Sequence, residues 1–389
     1  IYRKEVTTAA VKALHEILEN IQNSDFVPQP LDYEHEDVKG VLKPLMPQES
    51  RKIDWKKDTT DTIIKKINAA DSFPGLLDNL FEEEYYLYGA HKENTLKGKT
   101  GEIIGRRHGA ICKATCDGAV WITHLRKKEK NSYKLPSAVL LKDKLKGIYE
   151  QRIPLMLEEE METFKEIYYK EKNEVGYLYF DFHNGAMSIE QCVRLKYAYE
   201  LASQKDIQVL VLMGGQEFFS NGIHLNIMED SLKSDEDGWS NIHAMNDIVR
   251  EIINTPDLIT VASLGANAGA GGAILALACD YVVARHGIII NAHYKTLGLH
   301  GSEYWTYLLP KRVGHKKAYE ITDSCLSFGA VRAQEIFLCD IVFDEDEKIY
   351  KKELENFCEY HASKDDYFDF LDSKMQIREN DEKIKALEE

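Results

Sequence analysis

Along residues 8–22, TAAVKALHEILENIQ, the apolar side chains Ala10, Val11, Leu14, Ile17, Leu18 and Ile21 recur at three- and four-residue intervals. That spacing is one face of an amphipathic α-helix, with Thr8 as its expected N-cap. Pro28, Pro30, Pro44 and Pro47 follow and stop any continuation. The stretch IDWKKDTTDTIIKKINAADSFPGLLDNL predicts a second helix ending at the turn Ser72-Phe73-Pro74-Gly75. Over residues 85–125 short apolar runs are cut by Gly89, Gly98, Gly101, Gly105, Gly109 and Gly118, the texture of a small β-barrel. Within it GAICKATCDGAVWITHL alternates as two strands around Asp117-Gly118. Cys112 and Cys116 then share a strand face, and His108-x3-Cys112-x3-Cys116 reads as buried strand residues rather than a metal half-site.

Residues 142–172 scatter Leu145, Ile148, Ile153, Leu155, Met156, Met161 and Phe164 among charges, a pattern expected of helices that join two domains. From Val175 the texture changes. VGYLYFDF, IQVLVLMGG, LITVASLG and GIIINAH read as strands, and SIEQCVRLKYAYELASQ, NIHAMNDIVREIIN and GGAILALACDYVVA as helices, the last running on towards a further strand. Strands alternating with helices predict an α/β layer with mostly parallel strands, so the chain as a whole is α/β and multidomain.

Composition narrows the classes. No apolar run reaches the roughly 18 to 20 residues of a membrane span. With 49 Lys and Arg against 65 Asp and Glu, a net charge of -16, a nucleic-acid partner is disfavoured. Residues 344–389 hold half of that charge and read as a solvated helical tail. Seven cysteines, an odd number scattered through apolar surroundings, suit a reducing cytoplasm. The chain opens on Ile1 with no signal-peptide pattern, which reads as a fragment lacking its N-terminal part.

Candidate chemistry sits in two glycine-bearing loops. FFSNGIHL, residues 218–225, follows an apolar strand, and NAGAGGAILALACDY, residues 267–281, opens an apolar helix. A strand ending at Gly222-Ile223 and a helix starting at Gly271-Gly272 can each leave a backbone N–H without a partner. Two such donors converging on one point form an oxyanion hole. A dinucleotide fingerprint needs a third glycine where Ile274 stands, and a phosphate-binding loop ending in Gly98-Lys99-Thr100 needs one at Glu93. Close helix packing explains the glycines of the second loop equally well.

Over residues 175–343 the order FFSNGIHL, ITVASLGANAGAGGAILALACDYVVA, INAHYKTLGLHGSEYWTYLLPKRVG and LSFGAVRAQEIFLCDIVF resembles the crotonase, or enoyl-CoA hydratase/isomerase, superfamily. The resemblance implies a spiral of ββα turns that binds coenzyme A thioesters. It implies Ile223 and Gly271 as the oxyanion N–H donors, with Ser220, Gly222, Ile223, Leu225 and Gly272 in the coenzyme A site. The two positions that carry catalytic glutamates in hydratases are Ile274 and Tyr294, which speaks against hydration, and the usual Asp after the first loop is His224. Tyr294, His293, His300, Ser302 and Glu303 are the polar candidates, with Tyr294 as donor and Glu303 as proton acceptor.

Residues 49–141, through IDW, FPG and GEI…CDGAVWI, resemble the C-terminal subdomain of methionyl-tRNA formyltransferase and related formyltetrahydrofolate enzymes. In that family a folate-binding catalytic domain, working with an Asn, a His and an Asp, precedes this subdomain. The expected division is 1–48 linker with amphipathic helix, 49–141 formyltransferase-like barrel, 142–172 connecting helices, 173–345 crotonase-like domain and 346–389 acidic helical tail.

Both halves together resemble a group of [NiFe]-hydrogenase maturation enzymes. That resemblance implies a formyl group from 10-formyltetrahydrofolate, its transfer to coenzyme A, and decarbonylation of formyl-CoA to carbon monoxide, with a hydrogenase large subunit or its maturation proteins as partners. The alternatives are another acyl-CoA enzyme, such as a thioester hydrolase, or a crotonase-like scaffold that only binds. No metal site is expected.

Overall fold

The computed structural model describes residues 5–71, 73–157, 160–363, 367–381 and 384, and the chain divides into the units Ile1–Pro47 and Gln48–Glu389. The first unit carries the helix Thr7–Gln22, none of whose residues is buried. Its N-cap is Val6, without a side-chain bond, and Thr8 lies inside the helix instead of capping it.

In the second unit the helix Thr60–Ala69 packs Ile63 and Ile67 onto Leu76, Leu87, Val120 and Ile122 of an antiparallel sheet. The strand order is Leu76–Leu80, Glu83–Glu93, Ala119–Lys127, Ala110–Ala114, Ile103–Arg107, with Leu135–Pro136 also pairing to Ala119–Lys127. The expected barrel does not close, because Leu76–Leu80 and Ile103–Arg107 stay at opposite edges. The second of these edges is capped by residues that follow later in the chain. Arg106 N–H donates to Tyr149 O at 3.2 Å, and Gln151 N–H to Arg106 O at 2.7 Å.

That capping explains why the described residues of 146–166 are not the helices expected of 142–172, a stretch that ends in the strand Ile167–Lys172. Gly147 in a left-handed conformation (φ 84°) and Pro154 break helical runs. The freed backbone groups find partners on the sheet edge, and among the described residues the helical part is the short stretch Ser137–Leu141 with the 3-10 turn Lys142–Leu145. The cysteine expectation is half right. Cys112 is buried in its strand, whereas Cys116 lies past the strand end at Ala114, exposed, with its thiol on Asp58 O.

Residues 167–343 build two sheets. The larger runs Ile341–Phe343, Tyr281–Arg285, Ile259–Leu264, Val209–Gly214, Val175–Phe180, Ile167–Lys172, parallel except for the last pair. The smaller runs Phe218–Ser220, Asn267–Gly269, Ile289–Asn291, Phe328–Gly329. Three successive turns of chain each lay one strand in the larger sheet and the next in the smaller, and helices follow. Strand side chains alternate between two cores. Leu210 and Leu212 face the helices Ile189–Ser203 and Ser234–Ile253, and Val209 and Val211 face the other side. Burial on both faces accounts for the continuous apolar runs in the sequence.

The tail is helical as expected, but it is not merely solvated. The helices Glu347–Ser363 and Tyr367–Asn380 place Tyr350, Leu354, Cys358, Ala362 and Tyr367 against Val175, Val209, Val261 and Val283. The Tyr350 hydroxyl bonds Ser263 at 2.8 Å. Glu347, Asp369, Asp372 and Glu379 stay exposed on helices that otherwise cover the sheet. Among the described residues no helix is long and apolar enough to cross a membrane.

Candidate active site

Phe218–Ser220 leaves the smaller sheet into a loop held by its own polar groups. Ser220 Oγ donates to Gly185 O at 3.3 Å and accepts Gly222 N–H at 3.1 Å. Gly222, at φ 77°, needs the left-handed region, and a side chain there would stand 3.0 Å from Gly271 N. Met187 completes the strap: its N–H donates to Gly222 O at 2.8 Å, and its carbonyl accepts His224 N–H at 3.1 Å. Those bonds flank Ile223 and leave its own N–H turned away from the pairing. On the facing side Ala270 N–H donates to Asn291 O at 2.7 Å, and the helix Gly271–Ala276 begins. Among the described residues neither Ile223 N–H nor Gly271 N–H donates to another group. The two loops of the sequence are therefore neighbours, with two unspent amide donors.

Glu303 closes this site. A methyl group on Gly271 would lie 2.7 Å from Glu303 Oε2 and closer still to Oε1, so the carboxylate rests on the glycine Cα. The Tyr294 hydroxyl donates to Glu303 Oε2 at 3.1 Å. Both side chains are enclosed, Glu303 1% and Tyr294 6% exposed. Burial raises the Glu303 carboxyl above the ordinary range, opposed by bonds from Ser302 and Tyr294. Burial and the adjacent carboxylate also push the Tyr294 phenol well above its usual value, so it stays a donor. The site thus holds a carboxylate of raised basicity, a hydroxyl donor and two amide donors in one place. Such a set can take a proton from an acyl group while polarising its carbonyl.

The other candidates separate. Ile274 is buried and apolar. His293 is half-buried and contacts Thr296, and His300 is exposed, offering its carbonyl to Trp305 Nε1. Of the five positions expected for coenzyme A, Ser220 and Gly272 are enclosed and shape the loop, because a side chain on Gly272 would overlap the Ser220 carbonyl. Ile223 and Leu225 instead line a cavity of about 190 Å³ together with His124, Lys134, His183, Asn184, Asn221 and His224. His124 and His183 stack at 4.1 Å, and Lys134 Nζ lies 3.1 Å from His183 Nε2. Burial keeps these imidazoles neutral, with His183 pushed down to about 3. This cavity joins the formyltransferase-like sheet to the Ile223 loop. His224 was singled out by its place in the first loop, whereas His124 and His183 were not foreseen, since each stands alone in sequence. Asn241 and Asn246 were missed too, although both are asparagines set among the apolar positions of one helix.

The enoyl-CoA hydratase/isomerase family model matches residues 173–389 and the formyl transferase C-terminal domain model residues 45–139. The chain belongs to the enoyl-CoA hydratase/isomerase family, with a formyl transferase C-terminal domain ahead of that region. An enoyl-CoA hydratase structure from Bacillus halodurans, 18% identical over 58% of this chain and 90% of its own, shares the fold with a TM-score of 0.51. Similarity over the whole chain is more specific. Hydrogenase maturation factor HoxX of Bradyrhizobium diazoefficiens is 39% identical over 100% of this chain and 67% of its own length. The crystal structure of HypX from Aquifex aeolicus in complex with tetrahydrofolic acid is 41% identical, with a TM-score of 0.93 over 100% of this chain and 68% of its own. The chain is a member of the HoxX/HypX family of hydrogenase maturation factors.

Proposed function

We propose that the crotonase-like region decarbonylates formyl-CoA, releasing carbon monoxide for the iron of a [NiFe] hydrogenase. The formyl group would come from 10-formyltetrahydrofolate, by a transfer that the rest of a HoxX/HypX protein performs. Ile223 N–H and Gly271 N–H hold the formyl oxygen. Glu303 takes the formyl proton, the C–H electron pair stays on carbon as the lone pair of carbon monoxide, and the C–S pair leaves with sulfur. The Tyr294 hydroxyl turns from Glu303 to the departing thiolate, which recovers the proton as free coenzyme A. Atoms balance without an oxidant: formyl-CoA gives carbon monoxide and coenzyme A. The polar cavity beside Ile223 is where the thioester arm enters, Asn184 and Asn221 offering it neutral partners.

The observation that carries this reading is the Tyr294–Glu303 bond of 3.1 Å on Gly271, at the mouth of two amide donors without partners. Glu303 touches Gly271 itself, beside one of the two donors proposed for the formyl oxygen, and the hydratase positions hold Ile274 and Tyr294. Whole protein given 10-formyltetrahydrofolate and coenzyme A, with a haem protein as gas trap, is expected to form the carbonyl adduct. Formate in place of carbon monoxide would make the enzyme a thioester hydrolase. No turnover from folate-competent protein would leave a binding scaffold.

A further inference from the structure

Glu303 and Tyr304 are consecutive non-glycine residues in the left-handed region, φ 57° and 54°. Such a conformation is strained for a residue with a side chain and persists only where surroundings enforce it. The enforcing contact comes from outside the loop. Asn246, on the helix Ser234–Ile253, accepts Glu303 N–H with Oδ1 at 2.7 Å. Because the partner is an N–H, only the amide oxygen can face it, which fixes the orientation of the Asn246 side chain. A right-handed or extended Glu303 would turn that N–H elsewhere and swing the carboxylate off Gly271. Five residues earlier on the same helix, Asn241 (2% exposed) donates Nδ2 to Met187 O at 3.0 Å, the carbonyl that also anchors His224 beside Ile223. One helix therefore ties down both the amide loop and the carboxylate loop.

We infer that Asn246 is a positioning residue, whose bond to Glu303 N–H holds the carboxylate against Gly271 and Tyr294. Its kinetic consequence rests on the reading of Glu303 as the proton acceptor; its structural consequence does not. The titratable groups facing Glu303 are the Tyr294 phenol and, from the helix Ile189–Ser203, the Cys192 thiol. Removing the acceptor in Asn246→Ala lets the carboxylate meet water, so its titration midpoint falls toward that of an ordinary glutamate. Carbon monoxide release falls about 100-fold, the scale of a 1 Å misplacement. Asn246→Asp keeps an acceptor oxygen but adds a like charge: much of the rate returns, and the midpoint moves up instead of down.

The midpoint is read by infrared difference titration of the carboxyl band that Glu303→Gln abolishes, with no turnover needed; release is read on the whole protein. Opposite shifts in the two variants bear the inference out, and an unmoved midpoint in Asn246→Ala overturns it. Should Asn246→Ala fail to fold, Asn246→Asp decides alone, by an upward shift or by none. Shifted midpoints in a protein that makes no carbon monoxide would sink the decarbonylase reading and leave the positioning role standing.

Discussion

The loop at Phe218–Ser220 and Ile223 and the loop from Tyr294 to Tyr304 meet at Gly271, and they are built by opposite means. The first works with main chain. Its donors are amides, its turns are glycines, and its one buried hydroxyl, Ser220, bonds the loop itself. The second works with side chains on a backbone strained at Glu303 and Tyr304, where no glycine relieves it. An amide loop needs only space, because its donors are present whatever side chains surround them. A carboxylate loop needs identity, burial and a brace, because a displaced or hydrated carboxylate is an ordinary weak base.

That contrast predicts different kinds of fragility. The largest effect is expected in the side-chain loop: Glu303→Gln keeps the shape and should lower the rate of carbon monoxide release by about 10²–10⁴-fold, as loss of a general base does. In the main-chain loop an added methyl is the damaging change. Gly271→Ala keeps its N–H but forces the Glu303 carboxylate aside and should cost about 100-fold, the scale of a 1 Å misplacement. The reverse pairing sharpens the comparison, because Ile223→Val leaves its N–H in place and should leave the rate within about 2-fold. Tyr294→Phe, which removes one bond to a charged group worth about 1.5 kcal/mol, should slow release about 10-fold. Steady-state rates with formyl-CoA rank all four.

The smallest effect is thermodynamic. Glu303 is raised, so at a pH between its unfolded and folded values the native state binds more protons than the unfolded one. Its contribution to stability is therefore most favourable at low pH and declines as pH rises through the folded value. Glu303→Gln should accordingly raise the melting temperature at neutral pH while slowing the reaction, and calorimetry across pH checks the sign. Activity should run the other way, rising with pH through a midpoint above that of an ordinary glutamate.

The main-chain loop was legible in the sequence because glycines advertise it: FFSNGIHL and NAGAGGA mark the two turns that the structure brings together at Gly222 and Gly271. Tyr294 and Glu303 were reachable as nearby polar residues after the strand GIIINAH, and the structure does bring them together. Their brace was not reachable. Asn246 lies 57 residues before Glu303, and nothing in NIHAMNDIVREIIN marks that one asparagine as facing a backbone N–H on another element. The same limit applies to His124 and His183, which become a stacked pair only when a strand of the first sheet meets the turn after Val175–Phe180. In the fold, period-2 and period-3.6 patterns gave the strands and helices, whereas the open first sheet and its strap depended on backbone bonds at an edge. Tyr350, Leu354 and Cys358 did carry the helical spacing of a packed face; the acidic count around them hid it.

The most direct measurement is the fate of the formyl carbon. [¹³C]Formyl-CoA supplied to the whole protein should yield ¹³CO and free coenzyme A thiol one for one, with the label absent from formate and the reaction lost in Glu303→Gln. Labelled formate accumulating with the thiol, or intact thioester in the presence of folded protein, would contradict decarbonylation at the Ile223–Gly271–Glu303 site.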